Sequence, residues 1–125
     1  MKSGIIVKEF EMPFDAVCLA LTRKIKSEGF LLLHQINTQD IVSKHGIAIR
    51  PLKQFLFFHP TYIKQIVQQD PLAINEIPVK IVVYDQGNGS ICVSFPNPVT
   101  NLKEYDLDPK IAAELLSKTM AVLDI

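Results

Sequence analysis

Histidines are the side chains of this 125-residue chain best suited to proton transfer near pH 7, because the unperturbed imidazole pKa lies close to that value. His59 stands directly before Pro60, and the pair predicts the first turn of a helix. Unpaired backbone N–H groups at such a position favour an anion. His59 is therefore either a solvent-facing helix cap or a group that contacts a ligand.

The other two histidines have simpler structural interpretations. His34 precedes Gln35 in an apolar strand pattern, which predicts a core or interface histidine that makes one hydrogen bond. His45 stands before Gly46 at a predicted helix end, where the helix dipole favours a cation. No pair of histidines has the H-E-x-x-H spacing, so the sequence predicts no metal site.

Cysteine and glycine spacing give no sign of thiol, metal or nucleotide chemistry. Cys18 falls in a helical pattern and Cys92 in a strand pattern, without C-x-x-C spacing, so both are predicted to be small buried apolar residues. Residues 85–89 are rich in glycine but lack the phosphate-binding motifs, and they predict a β-hairpin turn. No cofactor is expected.

The charge balance argues against nucleic acid as a partner. The chain has 13 Lys and Arg against 13 Asp and Glu, which leaves no net positive charge to attract phosphates. Mean hydropathy is +0.21, and low net charge with this hydropathy favours a buried face between subunits. Without a signal-like or membrane-length apolar stretch, a cytoplasmic location and no membrane partner are expected.

The strands and helices that position these residues can be predicted from hydrophobic periodicity. Alternating patterns predict strands, period-3.6 patterns predict helices, and the order is β-α-β-(short α)-β-α-β-β-α. The predicted strands cover residues 4–10, 30–36, 53–58, 79–84 and 90–95, and the last helix covers about 109–123. This order predicts an α+β fold, one domain over residues 1–125, with a mostly antiparallel sheet covered by helices.

Two segments carry more specific expectations. Residues 30–36 are apolar on both faces, which predicts a central strand covered on each side. Residues 96–107 contain several prolines and asparagines and predict a long loop. Tyr105 in this loop, with Tyr84, is suited either to a cleft or to a protein interface.

The order of several dipeptides resembles the bacterial and archaeal family called domain of unknown function 302, which has the TT1751-like fold. The matching landmarks, in chain order, are Gly29-Phe30, Gln35-Ile36-Asn37, Gly46, Arg50-Pro51, Phe58-His59-Pro60, Asp70-Pro71 and Pro78-Val79. They span about residues 14–98. The resemblance implies a small α/β domain, commonly a homodimer, with no established general activity.

The departures from the family pattern concern its reactive positions. Gln35 and Asn37 stand where the family has a carboxylate pair, and Phe58 and Val79 stand where it has cysteines. An amide does not exchange a proton near pH 7, and neither phenylalanine nor valine is a nucleophile. No catalytic residue is therefore carried over from the family.

The sequence leaves two main functional hypotheses and, as a third, a purely structural or scaffold role. The first is a non-enzymatic, homodimeric module that binds a small ligand or a protein, with His59, His34, Gln35 and Asn37 as the ligand-binding candidates. The alternative is an enzyme of undetermined reaction that uses His59 as a general base, with Glu76 or Asp40 brought near it by folding.

Overall fold

Five strands and five α-helices follow one another in a computed structural model that describes residues 2–125. The strands are β1 (Ile5–Phe10), β2 (Leu31–Asn37), β3 (Leu52–Phe58), β4 (Val79–Asp85) and β5 (Ile91–Pro96). The helices are α1 (Phe14–Ser27), α2 (Thr38–Ser43), α3 (Pro60–Gln69), α4 (Pro98–Leu102) and α5 (Pro109–Val122). A short 3₁₀ helix, Pro71–Glu76, lies between α3 and β4.

The strands form one sheet in the order β1-β5-β4-β3-β2, and every neighbouring pair is antiparallel. The predicted α+β class and the antiparallel sheet are confirmed. The 85–89 turn joins β4 to β5 as expected, with the Asp85 carboxylate accepting a hydrogen bond of 2.8 Å from the Gly87 N–H.

One face of the sheet forms the core with the helices. Side chains alternate along each strand, and the residues of this face on β3, β4 and β5 are almost fully buried. They are Phe55, Phe57, Ile81, Val83, Ile91, Val93 and Phe95. Ile81 and Val83 of β4 thus share a face of the sheet with Ile91, Val93 and Phe95 of β5.

Helix ends follow local sequence signals. The Asp108 carboxylate accepts a hydrogen bond of 3.0 Å from the Lys110 N–H, and Pro109 occupies the first turn of α5. The buried side chains of α1 recur with helical spacing, and Gly29 follows its last turn with a φ of +86°. These two helices pack against each other in the core beside the sheet.

The sequence interpretation is wrong for β2. This strand is at the edge of the sheet, beside β3 only, and Leu31, Leu33 and His34 are exposed. Apolar residues on both faces of a strand therefore did not mark a central position here. The predicted 96–107 loop also contains a helical turn, α4, whose cap is Asn97.

The second face of the sheet has no comparable cover, and we call it the open face. Its apolar members are half-buried or exposed: Ile5, Val7, Leu31, Ile36, Leu52, Leu56, Phe58, Val82 and Tyr84. Over residues 2–125, the helices are all too short or too polar to span a bilayer.

Candidate functional site

His59 is the N-terminal cap of α3. Its Nδ1 accepts a hydrogen bond of 3.3 Å from the Thr61 N–H, and the Tyr62 N–H is bonded to the His59 carbonyl at 3.1 Å. The first N–H groups of the helix are therefore occupied by the histidine itself, and Pro60 has none. This geometry gives His59 the structural role of a cap and leaves little of the predicted anion site.

The surroundings of His59 favour the neutral form of the imidazole. Burial, and then the positive charge of Lys118, lower its pKa from the ordinary value of 6.5. An Nδ1 that accepts a hydrogen bond has no proton, so the neutral ring carries its proton on Nε2. The ring packs edge-on against Phe30, with centroids 5.4 Å apart, and lies 5.2 Å from the Tyr62 ring.

A general base needs a free lone pair and usually an orienting partner. Nδ1 of His59 is engaged in the cap, and among residues 2–125 no carboxylate oxygen lies within 4.0 Å of its ring nitrogens. Of the two carboxylates considered for this role, Glu76 instead accepts a hydrogen bond from Tyr105, and Asp40 pairs with Lys44 at 3.5 Å.

The β2 candidates lie on different faces. His34 pairs with Leu56 and so belongs to the open face, whereas Gln35 pairs with Phe55 and Asn37 with Lys53 on the core side. All three are exposed because β2 is an edge strand. The core interpretation of His34 is therefore wrong.

Asn37 is a second helix cap. Its Oδ1 accepts a hydrogen bond of 2.9 Å from the Asp40 N–H at the start of α2. It also borders a shallow cavity of about 360 Å³, together with Gln39 and Ile49. Of the four ligand candidates, Asn37 alone borders this cavity.

The four candidates do not converge on one site. Leu31, which pairs with Phe58 beside His59, and Asn37 stand at opposite ends of β2. Six residues of extended chain separate these ends by about 20 Å. Gln35 and Asn37 form one local group, while His34 and His59 are separate from it.

The two positions where the resembling family has cysteines also diverge. Val79 pairs with Phe57 and is buried in the core, whereas Phe58 points to the open face. The two cysteines of this chain are both free, and burial raises the pKa of the Cys18 thiol to about 11 and raises that of Cys92 as well. In residues 2–125, no three His, Cys, Asp or Glu side chains are grouped as a metal site.

A cleft at the end of the sheet was missed by the sequence reasoning. It is bordered by the 3₁₀ helix, the start of β4 and α4, and its polar side chains include Glu76, Lys80 and Asn101. Pro96 and Pro98 of the predicted 96–107 loop line this cleft, and these prolines were the feature of the sequence that pointed to it. The positions of Glu76 and Lys80 depend on how distant segments pack, which periodicity does not specify.

Comparison with known proteins agrees with the landmarks in the sequence. The family model "Domain of unknown function DUF302" matches residues 6–125, a longer stretch than the 14–98 region of the dipeptide landmarks. A crystal structure of an uncharacterized conserved DUF302 protein from Bacillus stearothermophilus has a TM-score of 0.87 to this chain. It shares 22% identity, over 98% of each chain, so it supports the fold alone.

No protein with a curated description matches the chain significantly. The family model covers almost the whole sequence, including β1 and α5. The chain therefore belongs to the family of domain of unknown function DUF302.

Proposed function

We propose that this protein is a cytoplasmic, non-enzymatic homodimer that serves as a binding module for a small ligand or another protein. The open face of the sheet is the observation that supports the homodimer. Five strands of about six residues cover roughly 24 Å by 20 Å, from a strand spacing of about 4.8 Å and a rise of about 3.3 Å. Its apolar side chains are half-buried or exposed and lie among polar ones such as Gln54 and Glu9. Exposed apolar surface with polar residues around it is typical of an interaction surface.

The chemistry of the open face favours a second copy as its partner. Its charged side chains include one carboxylate, Glu9 on β1, and one ammonium, Lys80 on β4. A face with balanced charge does not repel itself, and the whole chain has no net charge to keep two copies apart. His34 also lies on this face, in agreement with the interface role considered for it.

The state of the polar candidates supports a binding role over a catalytic one. His59 and Asn37 are both engaged as helix caps, and both free thiols have raised pKa values. Side chains that stabilise helix ends and thiols that stay protonated favour packing and recognition over bond-breaking chemistry. Free thiols also suit the reducing cytoplasm.

Sedimentation velocity over a dilution series tests the homodimer. We expect a dimer for the native chain and a shift toward monomer for Val7→Lys and Val82→Lys, because each places a charge on the open face. Val67→Lys is the matched control, since Val67 on α3 is 50% exposed and Val7 is 48% exposed. A native chain that sediments as a monomer at every concentration contradicts the homodimer, as does equal dimerisation of all variants.

A further inference from the structure

The cleft at the end of the sheet has the size of a small-molecule site. It encloses about 330 Å³ between the 3₁₀ helix, the start of β4, the end of β5 and α4. Ligand sites in proteins begin at about 300 Å³, so the volume suits a molecule of amino-acid size. Its walls are mostly apolar and include Leu56, Ile77, Val79, Leu102 and Leu115.

Three hydrogen bonds hold the cleft region in shape. The Tyr105 hydroxyl donates to Glu76 Oε2 at 3.1 Å, the Asp106 N–H to Asp70 Oδ2 at 3.0 Å, and the Asp108 N–H to Gln69 Oε1 at 2.7 Å. These bonds tie the segment after α4 to the end of α3 and the 3₁₀ helix. Of these residues only Glu76 lines the cleft, so the Tyr105–Glu76 bond is the one that fixes a group of the site before a ligand binds.

Two opposite charges face this cleft without neutralising each other. The half-buried Glu76 and the exposed Lys80 both line it, and the Glu76 carboxylate also accepts a hydrogen bond from Tyr105. Within residues 2–125, neither makes an ion pair at 4.0 Å or less, with the other or with any other charged group. Asn101 adds an amide beside them. The site therefore offers an anion and a cation, separated from each other, beside an apolar surface.

We propose that this cleft binds a small zwitterion with an apolar body, such as a free amino acid with an aliphatic side chain. The ligand's ammonium pairs with Glu76, its carboxylate with Lys80 and Asn101, and its side chain lies on Leu56 and Leu102. A ligand with a single charge leaves one of the two protein charges unpaired, which costs binding free energy. The proposal rests on the ligand-binding part of the proposed function and deepens it. Because Leu56 and Lys80 also belong to the open face, the cleft lies next to the surface of the proposed homodimer.

Three probes that share an isobutyl group test the proposal. Leucine has both charges, 4-methylpentanoate lacks the ammonium, and 3-methylbutylamine lacks the carboxylate. Titration of the native protein followed by amide NMR shifts should move the signals of Glu76, Lys80 and Leu102 first. We expect leucine to bind about tenfold more tightly than either analogue, since a charge-assisted hydrogen bond contributes about that factor.

Two variants test which protein side chain pairs with each charge of the ligand. Lys80→Gln should weaken leucine and 4-methylpentanoate while leaving 3-methylbutylamine unchanged, and Glu76→Gln should weaken leucine and the amine only. Lys64→Gln, on the exposed surface of α3, is the control and should bind all three probes as the native chain does. The glutamines preserve side-chain length, and thermal unfolding of each variant checks that it is folded.

The results of these experiments test the cleft site and the homodimer separately. Leucine that fails to shift the cleft signals, or that binds no better than its analogues, overturns the zwitterion site. So does unchanged leucine affinity in Lys80→Gln and Glu76→Gln. Lys80 lies at the margin of the open face, so sedimentation of each variant is measured as well. A monomer that binds leucine contradicts the homodimer alone, and a dimer that does not bind it contradicts the cleft site alone.

Discussion

The imidazole of His59 occupies the space that a side chain on Gly29 would need. A Cβ built on Gly29 would lie 2.8 Å from His59 Nε2, closer than real Cβ contacts. Gly29 also has a φ of +86°, in the left-handed region that favours glycine. The end of α1 and the start of α3 are therefore fitted to each other through these two residues.

Gly29→Ala should lower the free energy of unfolding by at least about 2 kcal/mol, because the left-handed backbone costs about 1–2 kcal/mol and the contact with His59 adds to it. Urea unfolding measures the change. Gly46→Ala is the matched control, since Gly46 has a φ of +75° and nothing lies within 4 Å of its added Cβ. Equal losses in both variants would show that the contact with His59 has no energetic weight.

The neutral state of His59 predicts that stability falls as the pH falls below about 6.5. The unfolded chain takes up a proton on His59 near its ordinary pKa, whereas the folded protein, with a lowered pKa, takes it up only at lower pH. Above about pH 7.5 both states are neutral and this contribution is constant. Urea unfolding across this range should show a shallower slope for His59→Asn, which keeps a capping group without a titrating ring. An NMR titration of the His59 ring that gives a pKa above 6.5 would contradict the prediction.

Thiol labelling should distinguish the two cysteines. Cys92 lies half-buried on the open face and should react slowly, and Cys18 should react only when the core opens, because burial raises its pKa to about 11. Mass spectrometry after timed alkylation gives both rates. The proposed homodimer further predicts that labelling of Cys92 slows as the protein concentration rises, because the open face becomes covered. Faster labelling of Cys18 than of Cys92 would contradict the assignment.

Thr119→Val should raise the free energy of unfolding by about 1 kcal/mol, since a buried hydroxyl without a partner is replaced by a methyl group of the same shape. Thr119 is fully buried in α5, and its Oγ1 makes no hydrogen bond within residues 2–125. Thr22→Val is the control, because the Thr22 hydroxyl donates to the Cys18 carbonyl at 2.9 Å and its loss should not stabilise the protein. Thermal and urea unfolding of both variants provide the comparison.

Features set by neighbouring residues were predictable from the sequence, and those set by distant contacts were not. His59-Pro60 and the 85–89 turn specify a cap or a turn within a few residues, and both are where they were expected. The last helix was expected over about 109–123 and covers Pro109–Val122. The edge position of β2 depends on which strands pair across the sheet, and its apolar composition gave no information about that pairing.

In the candidate site, too, local features were predictable and those that depend on distant contacts were not. The capping positions of His59 and Asn37 are local, and His59 was already considered as a cap. The meeting of Glu76, Lys80 and Asn101 in one cleft requires α4 and the 3₁₀ helix to fold against the end of the sheet. Neither short helix has enough residues to show a period in the sequence.

The register shift between Leu32 and His34 also changes the free edge of the sheet at β2. An edge strand with regular free N–H and C=O groups is a template for adding strands from other molecules, which leads to aggregates without a fixed size. An extra residue in β2 interrupts that row of groups and twists the strand locally. The edge of the sheet at β2 is thereby less suited to open-ended strand addition than a regular edge strand would be.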